Sequence, residues 1–409
     1  MALYVHKYGG SSVADAGKIV NVARRIADVY DAGSQVVTVV SAMGDTTDEL
    51  IDLARTVSDE PDPRELDLLL STGELVSITL LSMALRNLGY DAISLSGPQA
   101  GIRTDNAYGR ARISQVDPER LRHELANGRL VIVAGFQGLT PDEDITTLGR
   151  GGSDTTAVAL AAVLNADRCD IYTDVEGIYT ADPRVVPQAA KLSEVGYGEM
   201  LELAAAGAKM HPRSIELGAV YNVPIYVASS FSDAAGTLIH QSPDDEQMED
   251  RIKVTGIAYQ TNVAKVTVCG VADKPGVAAA LFEPLASSGV SVDTIVQNTS
   301  ADRTTTDISF TVTTDDLPRA LREMSSLQDA VGAQQVINDP TLASVSIVGS
   351  GMQNTPGYAS RMFRILADGG INIDMITTSE IRISCIISQE QAQEAVRLLH
   401  RGFELDDDG

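Results

Sequence analysis

None of the cysteines in this chain has a neighbour to pair with. There are three, Cys169, Cys269 and Cys385, about a hundred residues apart and without a C-x-x-C pair. That odd, dispersed set argues against a disulfide framework or a zinc site, and a reducing cytoplasm fits. The five histidines are equally scattered and form no H-E-x-x-H. No unbroken apolar run approaches the ~18 residues expected of a membrane span, and Lys7 with two glycines interrupts any signal-peptide core near the N-terminus. Lysine is sparse: arginine makes up most of the 31 basic residues, which face 56 acidic ones for a net charge of -25. This balance argues against nucleic acid, anionic membrane or other extended polyanions as partners. A small anionic substrate remains possible where basic residues concentrate.

What is present is globular. With 409 residues, 44% hydrophobic and 21% charged, the chain has material for two or three domains and an ample core. Over residues 1–240, β-branched runs at 36–40, 91–95, 130–135, 168–172 and 223–227 alternate with helical stretches such as 65–88 and 154–165. That alternation predicts a mostly parallel sheet with helices on both faces, with ligands where strand C-termini meet helix N-termini. Residues 241–251 are polar and acidic and read as a linker. Beyond them lies an internal repeat. Ala264-Lys-Val-Thr-Val-Cys-Gly270, Pro275-Gly276, Ala286 and Gly289-Val-Ser-Val-Asp293 recur as Ala343-Ser-Val-Ser-Ile-Val-Gly349, Pro356-Gly357, Ala367 and Gly370-Ile-Asn-Ile-Asp374. Each copy predicts a βαββαβ unit, with second strands at 307–313 and 380–388.

Four clusters carry the chemistry. Lys7-Tyr8-Gly9-Gly10-Ser11-Ser12 follows a short β-rich run and precedes an amphipathic helix with Ile19, Val22, Ala23 and Ile26 on its apolar face. The turn reads equally as a phosphate cradle with a mobile point charge or as a structural strand-to-helix turn, and its spacing is not that of a Walker A loop. In Thr146-Thr-Leu-Gly-Arg-Gly-Gly-Ser-Asp154 the glycines allow close backbone approach, Ser153 or Asp154 can cap the following helix, and Arg150 offers a planar fork for a carboxylate. Capping does not explain an arginine between glycines. Tyr172 to Arg184 is a turn-rich loop with an aromatic, hydroxyls, carboxylates and an arginine, sufficient to hold a nucleotide, although alone it is also just a polar loop. Ala206-Gly-Ala-Lys-Met-His-Pro212 supplies a second solitary lysine.

In this order and spacing KYGGSSV (7–13), VVSAMGDTTDEL (39–50), STGE (71–74), TTLGRGGSDTTA (146–157), TDVEGIYTADPR (173–184) and GAKMHP (207–212) resemble the aspartate kinases of the amino-acid-kinase family. The tandem C-terminal units resemble their ACT domains. The likeness covers nearly the whole chain, and the length looks like the short monofunctional form. It implies an α/β fold: an amino-acid-kinase αβα sandwich over 1–240, the linker 241–251, and a pair of ferredoxin-like ACT domains over 252–340 and 341–409. It also implies ATP-dependent phosphorylation of the β-carboxylate of L-aspartate, giving 4-phospho-L-aspartate and ADP, the first step toward lysine, threonine, methionine and isoleucine. Tyr8 and Ser11 stand where many relatives carry Phe and Thr, and Leu75 where many have Arg.

Carried over residue by residue, the resemblance assigns Lys7 and Lys209 to the transferring phosphoryl group, with Asp154 holding both ammonium groups. The nucleotide would meet Tyr8, the backbone of Gly9, Gly10 and Ser11, and Thr173, Asp174, Tyr179, Asp182 and Arg184. Mg²⁺ would bridge the β- and γ-phosphates mainly through phosphate and water oxygens, and no protein ligand for it is legible. For aspartate, Arg150 is the clamp on the α-carboxylate and Glu74 the counter-charge for the ammonium. The alternative for Glu74 is a helix-end carboxylate that offsets the dipole. Ser41, Thr47 and Ser153 would hydrogen-bond the substrate beside Gly151 and Gly152. No general base is required, because a carboxylate nucleophile is already ionised at neutral pH.

Lysine, threonine or both are the implied feedback effectors. Candidate contacts are Asp273, Pro275, Gly276, Val277, Asp293 and Gln297 in the first repeat, and Asn372, Ile373, Asp374, Thr378, Ser379 and Glu380 in the second. Solvated turn carboxylates are the bland alternative. Self-association through ACT units into a dimer or tetramer is expected, as is a possible short chain starting at Met248. Another amino-acid kinase, acting on glutamate, N-acetylglutamate or uridylate, is the nearest rival. A non-catalytic amino-acid sensor is the rival from another class.

Overall fold

The computed structural model describes residues 1–208, 210–241, 254–299, 305–350, 352 and 355–406. Its contacts divide the chain into two units. The first holds Met1–Tyr179, Lys191–Ala205 and Lys209–Glu246, and the second Thr180–Ala190, Ala206–Ala208 and Gln247–Gly409.

The first unit begins with β1 (Leu3–Tyr8), α1 (Ala16–Asp31), β2 (Gln35–Val40), α2 (Thr46–Val57), α3 (Pro63–Leu70), α4 (Thr72–Asn87) and β3 (Ala92–Leu95). It continues with β4 (Ile102–Thr104), β5 (Ile113–Val116), α5 (Glu119–Ala126), β6 (Leu130–Ala134), β7 (Gln137–Leu139) and β8 (Ile145–Thr147). It closes with α6 (Gly152–Leu164), β9 (Arg168–Thr173), β10 (Glu194–Gly196), α7 (Tyr197–Ala205), α8 (Pro212–Tyr221), β11 (Ile225–Ser229) and β12 (Thr237–His240).

The main sheet has the order β10-β12-β11-β9-β1-β2-β6-β3, and every pairing except β11 with β12 is parallel. All of β6 and nearly all of β2 are buried, as expected of strands covered on both faces. Tyr8 pairs in register with Val40 and Tyr172, and Val40 with Ala134. Four strands therefore end at one edge, where Gly9, Ser41 and Gly135 leave the sheet and Thr173 closes β9. Side chains alternate along β1. Tyr8 joins the core formed with α1 and α4, where Ile19, Val22, Ala23 and Ile26 are buried as their spacing predicts. Lys7 faces the opposite way, toward α6. The turn after β1 is a short 3-10 segment, Gly10–Val13, and α1 begins only after Asp15, whose carboxylate caps Lys18 N at 2.9 Å.

The stretch Pro63–Asn87, although no unbroken apolar run, is long and apolar enough to cross a membrane, but half of that window is buried. Within it α4 puts Ile78, Leu81 and Leu85 into the first unit's core, so its apolarity is explained by packing.

The second unit contains β13 (Gly256–Ala272), α9 (Val277–Ser287), β14 (Ile295–Thr299), β15 (Thr305–Val312), α10 (Leu317–Val331) and β16 (Gln335–Val348). It then adds α11 (Tyr358–Asp368), β17 (Met375–Thr378), β18 (Arg382–Ser388) and α12 (Ala392–Gly402). One antiparallel sheet, β14-β15-β13-β16-β18-β17, spans both repeats. Their equivalence is visible in the hydrogen bonds: Asp293 N donates to Thr311 O, and Asp374 N to Ile386 O.

The repeats differ in where the fourth strand of each originates. From Gly256 to Gln260, β13 pairs with Val348 to Ser344, on the second repeat's half of β16. Its later residues, Lys265 to Cys269, pair with the first repeat's half. The second repeat thus draws a strand from upstream of the first. Glu380, expected in a strand, lies in the turn closed by Ser379 N and Arg382 O at 2.8 Å. Thr180–Ala190 belongs to this unit because Thr180 is bound on all sides within it: Ile257 N donates to its carbonyl, and its hydroxyl lies 2.9 Å from His400 Nε2.

Candidate active site

The turn between β8 and α6 can be built from its glycines. Gly151 has φ 69° and is the residue before the first turn of α6, and a Cβ there would lie 2.2 Å from the Cβ of His211. Only glycine fits this left-handed, crowded position. It turns the chain so that Gly152, Ser153 and Asp154 enter the helix directly. Neither Ser153 nor Asp154 caps α6, contrary to the sequence reading; the cap residue is Gly151, without a side-chain bond. Asp154 instead points its carboxylate at Lys7, Oδ1 to Nζ 2.7 Å, with both side chains largely buried. The N-terminus of α6, an apolar and mostly buried helix, therefore opens beside this pair.

A cavity of about 540 Å³ lies over the same spot. It is lined by Lys7 and Asp154 together with Ser41, Thr47, Glu74, Arg150, Gly151, Gly152 and Ser153. Every residue assigned from sequence to aspartate is in this set. Arg150 is exposed and has no hydrogen-bond or ion-pair partner among the described residues. Glu74, in the first turn of α4, is 2% exposed. Its Oε1 accepts Ala42 N at 3.0 Å, whereas Oε2 is buried without a partner, and burial pushes the carboxyl up to about 7. A cavity with an unengaged guanidinium, an under-satisfied carboxylate and a buried lysine is suited to a zwitterionic amino acid carrying a further acidic group.

The nucleotide candidates lie elsewhere. Thr173 ends β9, and its hydroxyl donates to Asp174 at 3.1 Å. Tyr179 bridges to Lys191. Asp182 and Arg184 fall in the second unit, paired at 2.6 Å. Gly9 N donates to Tyr172 O at a long 3.4 Å, Gly10 opens the 3-10 segment, and Ser11 is exposed. Tyr8 is a correction: its ring is wholly buried and stacks on Tyr172 at 4.8 Å, so only its backbone is available to a ligand. Lys209 lies outside the described residues, as does Met248.

Of the effector candidates in the second unit, Asp273, Pro275 and Gly276 form the exposed turn before α9, and Val277 is buried. Asp293 and Gln297 are exposed beside and on β14. Asn372, Thr378, Ser379 and Glu380 are exposed around β17, Ile373 is half-buried, and Asp374 pairs with Lys265.

The cavity is also lined by residues that the sequence did not assign to it. Phe136 follows β6 at φ 69°, an uncommon conformation for a bulky side chain, and it lines the cavity. Asp67 and Thr147 line it too. Phe136 had a faint signal in the glycines at 135 and 138. Asp67 had none, because an aspartate in a helical stretch normally reads as solvated surface.

The amino acid kinase family model matches residues 2–229, and ACT domain models match 265–329 and 345–403. An aspartokinase of Mycolicibacterium smegmatis is 52% identical over 100% of this chain and 97% of its own length. The chain belongs to the aspartokinases of the amino acid kinase family. It is an ATP-using kinase that phosphorylates aspartate and carries ACT regulatory domains. Its fold is similar to E. coli aspartokinase III in complex with aspartate and ADP (R-state), at TM-score 0.85 and 27% identity, over 98% of this chain and 100% of that one. The same E. coli enzyme in complex with lysine and aspartate (T-state) matches at TM-score 0.73 and 28% identity, over 98% and 99%.

Proposed function

We propose that the 540 Å³ cavity is the acceptor site, and that L-aspartate lies in it with its β-carboxylate toward Lys7. The observation that carries this reading is Glu74 Oε2, a buried carboxylate oxygen without a partner, in one cavity with the unengaged guanidinium of Arg150. Arg150 takes the α-carboxylate as a bidentate fork, and Glu74 takes the α-ammonium, which restores its ordinary acidity. Ser41, Thr47 and Ser153 supply hydrogen bonds, and the backbone at Gly151 and Gly152 closes the site.

The attacking β-carboxylate oxygen displaces ADP from the γ-phosphorus of ATP, forming the acyl phosphate. Charge accumulates on the transferring oxygens, so positioning and fixed positive charge do most of the work. Lys7 meets those oxygens from β1, held by Asp154, and Lys209 is the second ammonium assigned to them. Gly9, Gly10 and Ser11 offer backbone donors. Thr173, Asp174 and Tyr179 hold the nucleotide.

Among the described residues no group of three or more His, Cys, Asp or Glu could hold a metal ion. Mg²⁺, held mainly by phosphate and water oxygens, would neutralise phosphate charge.

Regulation in this reading is feedback by lysine, threonine or both at the ACT repeats, in a cytoplasmic dimer or tetramer, to which an internal start near Met248 would add a short chain. Inhibition follows only if the effector binds two kinase conformations unequally. Hydroxamate trapping of the acyl phosphate, with lysine and threonine added singly and together, tests the whole. Aspartate-dependent hydroxamate is expected, reduced by at least one effector. ATP turnover without trappable acyl phosphate would defeat the acceptor assignment.

A further inference from the structure

We propose that Asp67 is a positioning residue for the acceptor site, a buried carboxylate that ties the Arg150 turn to the helices leading into Glu74. This inference rests on the cavity being the aspartate site. Asp67 sits in α3 and is 1% exposed. Its Oδ2 accepts Thr147 N at 2.8 Å and its Oδ1 the Thr147 hydroxyl at 2.7 Å. Gly109 N donates to both oxygens, at 3.0 and 2.9 Å. No basic side chain is paired with it among the described residues. Burial raises its pKa, and these donors offset only part of that rise.

The geometry gives those bonds a direction of action. Thr147 is the last residue of β8, three positions before Arg150. Asp67 is one turn before the α3–α4 junction at Ser71, where Gln137 Nε2 donates to Ser71 O at 3.0 Å, and Glu74 follows directly. One carboxylate therefore spans the two segments that carry the substrate's proposed partners. The Arg150 turn is also pinned from its other side, because Arg213 donates to Leu148 O at 2.7 Å and to Ala111 O at 3.0 Å. Gly109, the third point held by Asp67, packs against this turn: a Cβ on Gly149 would come within 3.0 Å of Gly109 O. Although Asp67 lines the cavity, its oxygens are occupied by protein donors, so it acts through Arg150 and Glu74 rather than on the substrate.

The test compares Asp67→Asn, Thr147→Val, Thr147→Ser and Arg150→Lys in the full chain, with aspartate and ATP varied separately and thermal midpoints recorded. Asp67→Asn turns an acceptor into a donor facing N–H groups, and it should raise the aspartate KM about tenfold or more with ATP KM within about twofold. Thr147→Val removes a single bond and should raise it by about threefold to tenfold, whereas Thr147→Ser keeps the hydroxyl and should stay near wild type. If Asp67→Asn fails to fold, the Thr147 pair decides. A lower midpoint with unchanged aspartate KM, or equal rises in both KM values, would overturn the proposal. An unchanged aspartate KM in Arg150→Lys would instead sink the acceptor-site reading and this inference with it. A rise there alone would leave that reading standing and reject Asp67.

Discussion

Lys7 Nζ stands 2.7 Å from Asp154 Oδ1, joining the C-terminal end of β1 to the first turn of α6. A lysine has a long, mobile stem, and an ammonium placed loosely would lose entropy on every catalytic cycle. The pairing pre-positions it at the helix N-terminus, where the remaining N–H groups can meet an incoming anion. It also lowers the attraction between Lys7 and any passing anion, so the charge is held for one geometry.

Removing that ammonium should be the most damaging single change. Lys7→Ala is expected to lower kcat by about 10²–10³, by analogy with loss of a transition-state donor. It also strands a buried carboxylate, so the thermal midpoint should fall with activity. Combining Lys7→Met with Asp154→Leu should restore the midpoint but not turnover. Recovery of turnover in the double variant would show that the pair is structural alone.

Glu74 links acidity to substrate capture. Its carboxyl is raised from 4.5 to about 7 by burial, so in the free enzyme it ionises as pH rises through about 7. An ammonium partner requires the ionised form, so kcat/KM for aspartate should climb with pH across that range. Glu74→Gln should flatten this limb and raise the aspartate KM. The stability sign is opposite. A raised pKa favours the native state below 4.5, and that stability is lost as pH rises through about 7, on the order of 3 kcal/mol. Glu74→Gln should thus melt higher than wild type at pH 8. A lower melting point there would point to a helix-end role instead.

Backbone geometry at the Arg150 turn is testable with one methyl group. Gly151→Ala must place a Cβ 2.2 Å from His211 in a left-handed conformation, so the turn has to move. The expected result is an aspartate KM raised by about tenfold or more. Gly33→Ala serves as the control: Gly33 is also left-handed, at φ 89°, but has nothing within 4 Å, and should cost about 1 kcal/mol of stability with kinetics unchanged. Equal kinetic effects at both glycines would refute the argument.

His6 makes the kinase core sensitive to acid. It is wholly buried among Tyr4, Tyr8 and Tyr172, and burial lowers it from 6.5 to about 4, only partly offset by Asp170 at 3.6 Å. The unfolded chain binds the proton first, so stability is complete above 6.5 and is lost as pH falls toward about 4. His6→Phe should shrink the drop in thermal midpoint between pH 7 and pH 4.5. An undiminished drop would assign the acid limb to other groups.

Much of the site was legible because its chemistry is local. An arginine between glycines, a lysine ending a strand and a carboxylate after Ser71-Thr72-Gly73 each announce themselves within a few residues, and all converge on one cavity. The strands of the main sheet and the buried face of α1 followed from periodicity for the same reason.

The sequence by itself determined the elements, the repeat and the family, because propensity, turn chemistry and motif spacing are short-range properties of the chain. Only the tertiary structure decided which segments meet. Side-chain alternation turned Tyr8 into the core and Lys7 toward Asp154. The close approach of His211 requires glycine at 151, and Gly151, not Ser153 or Asp154, is the cap residue of α6. Pairing across the sheet lent the first half of β13 to the second repeat, and drew Asp182 and Arg184 into the second unit. Asp67 acquired its role in the same way, because a carboxylate's meaning depends on which backbone donors folding brings to it, and Thr147 lies 80 residues away.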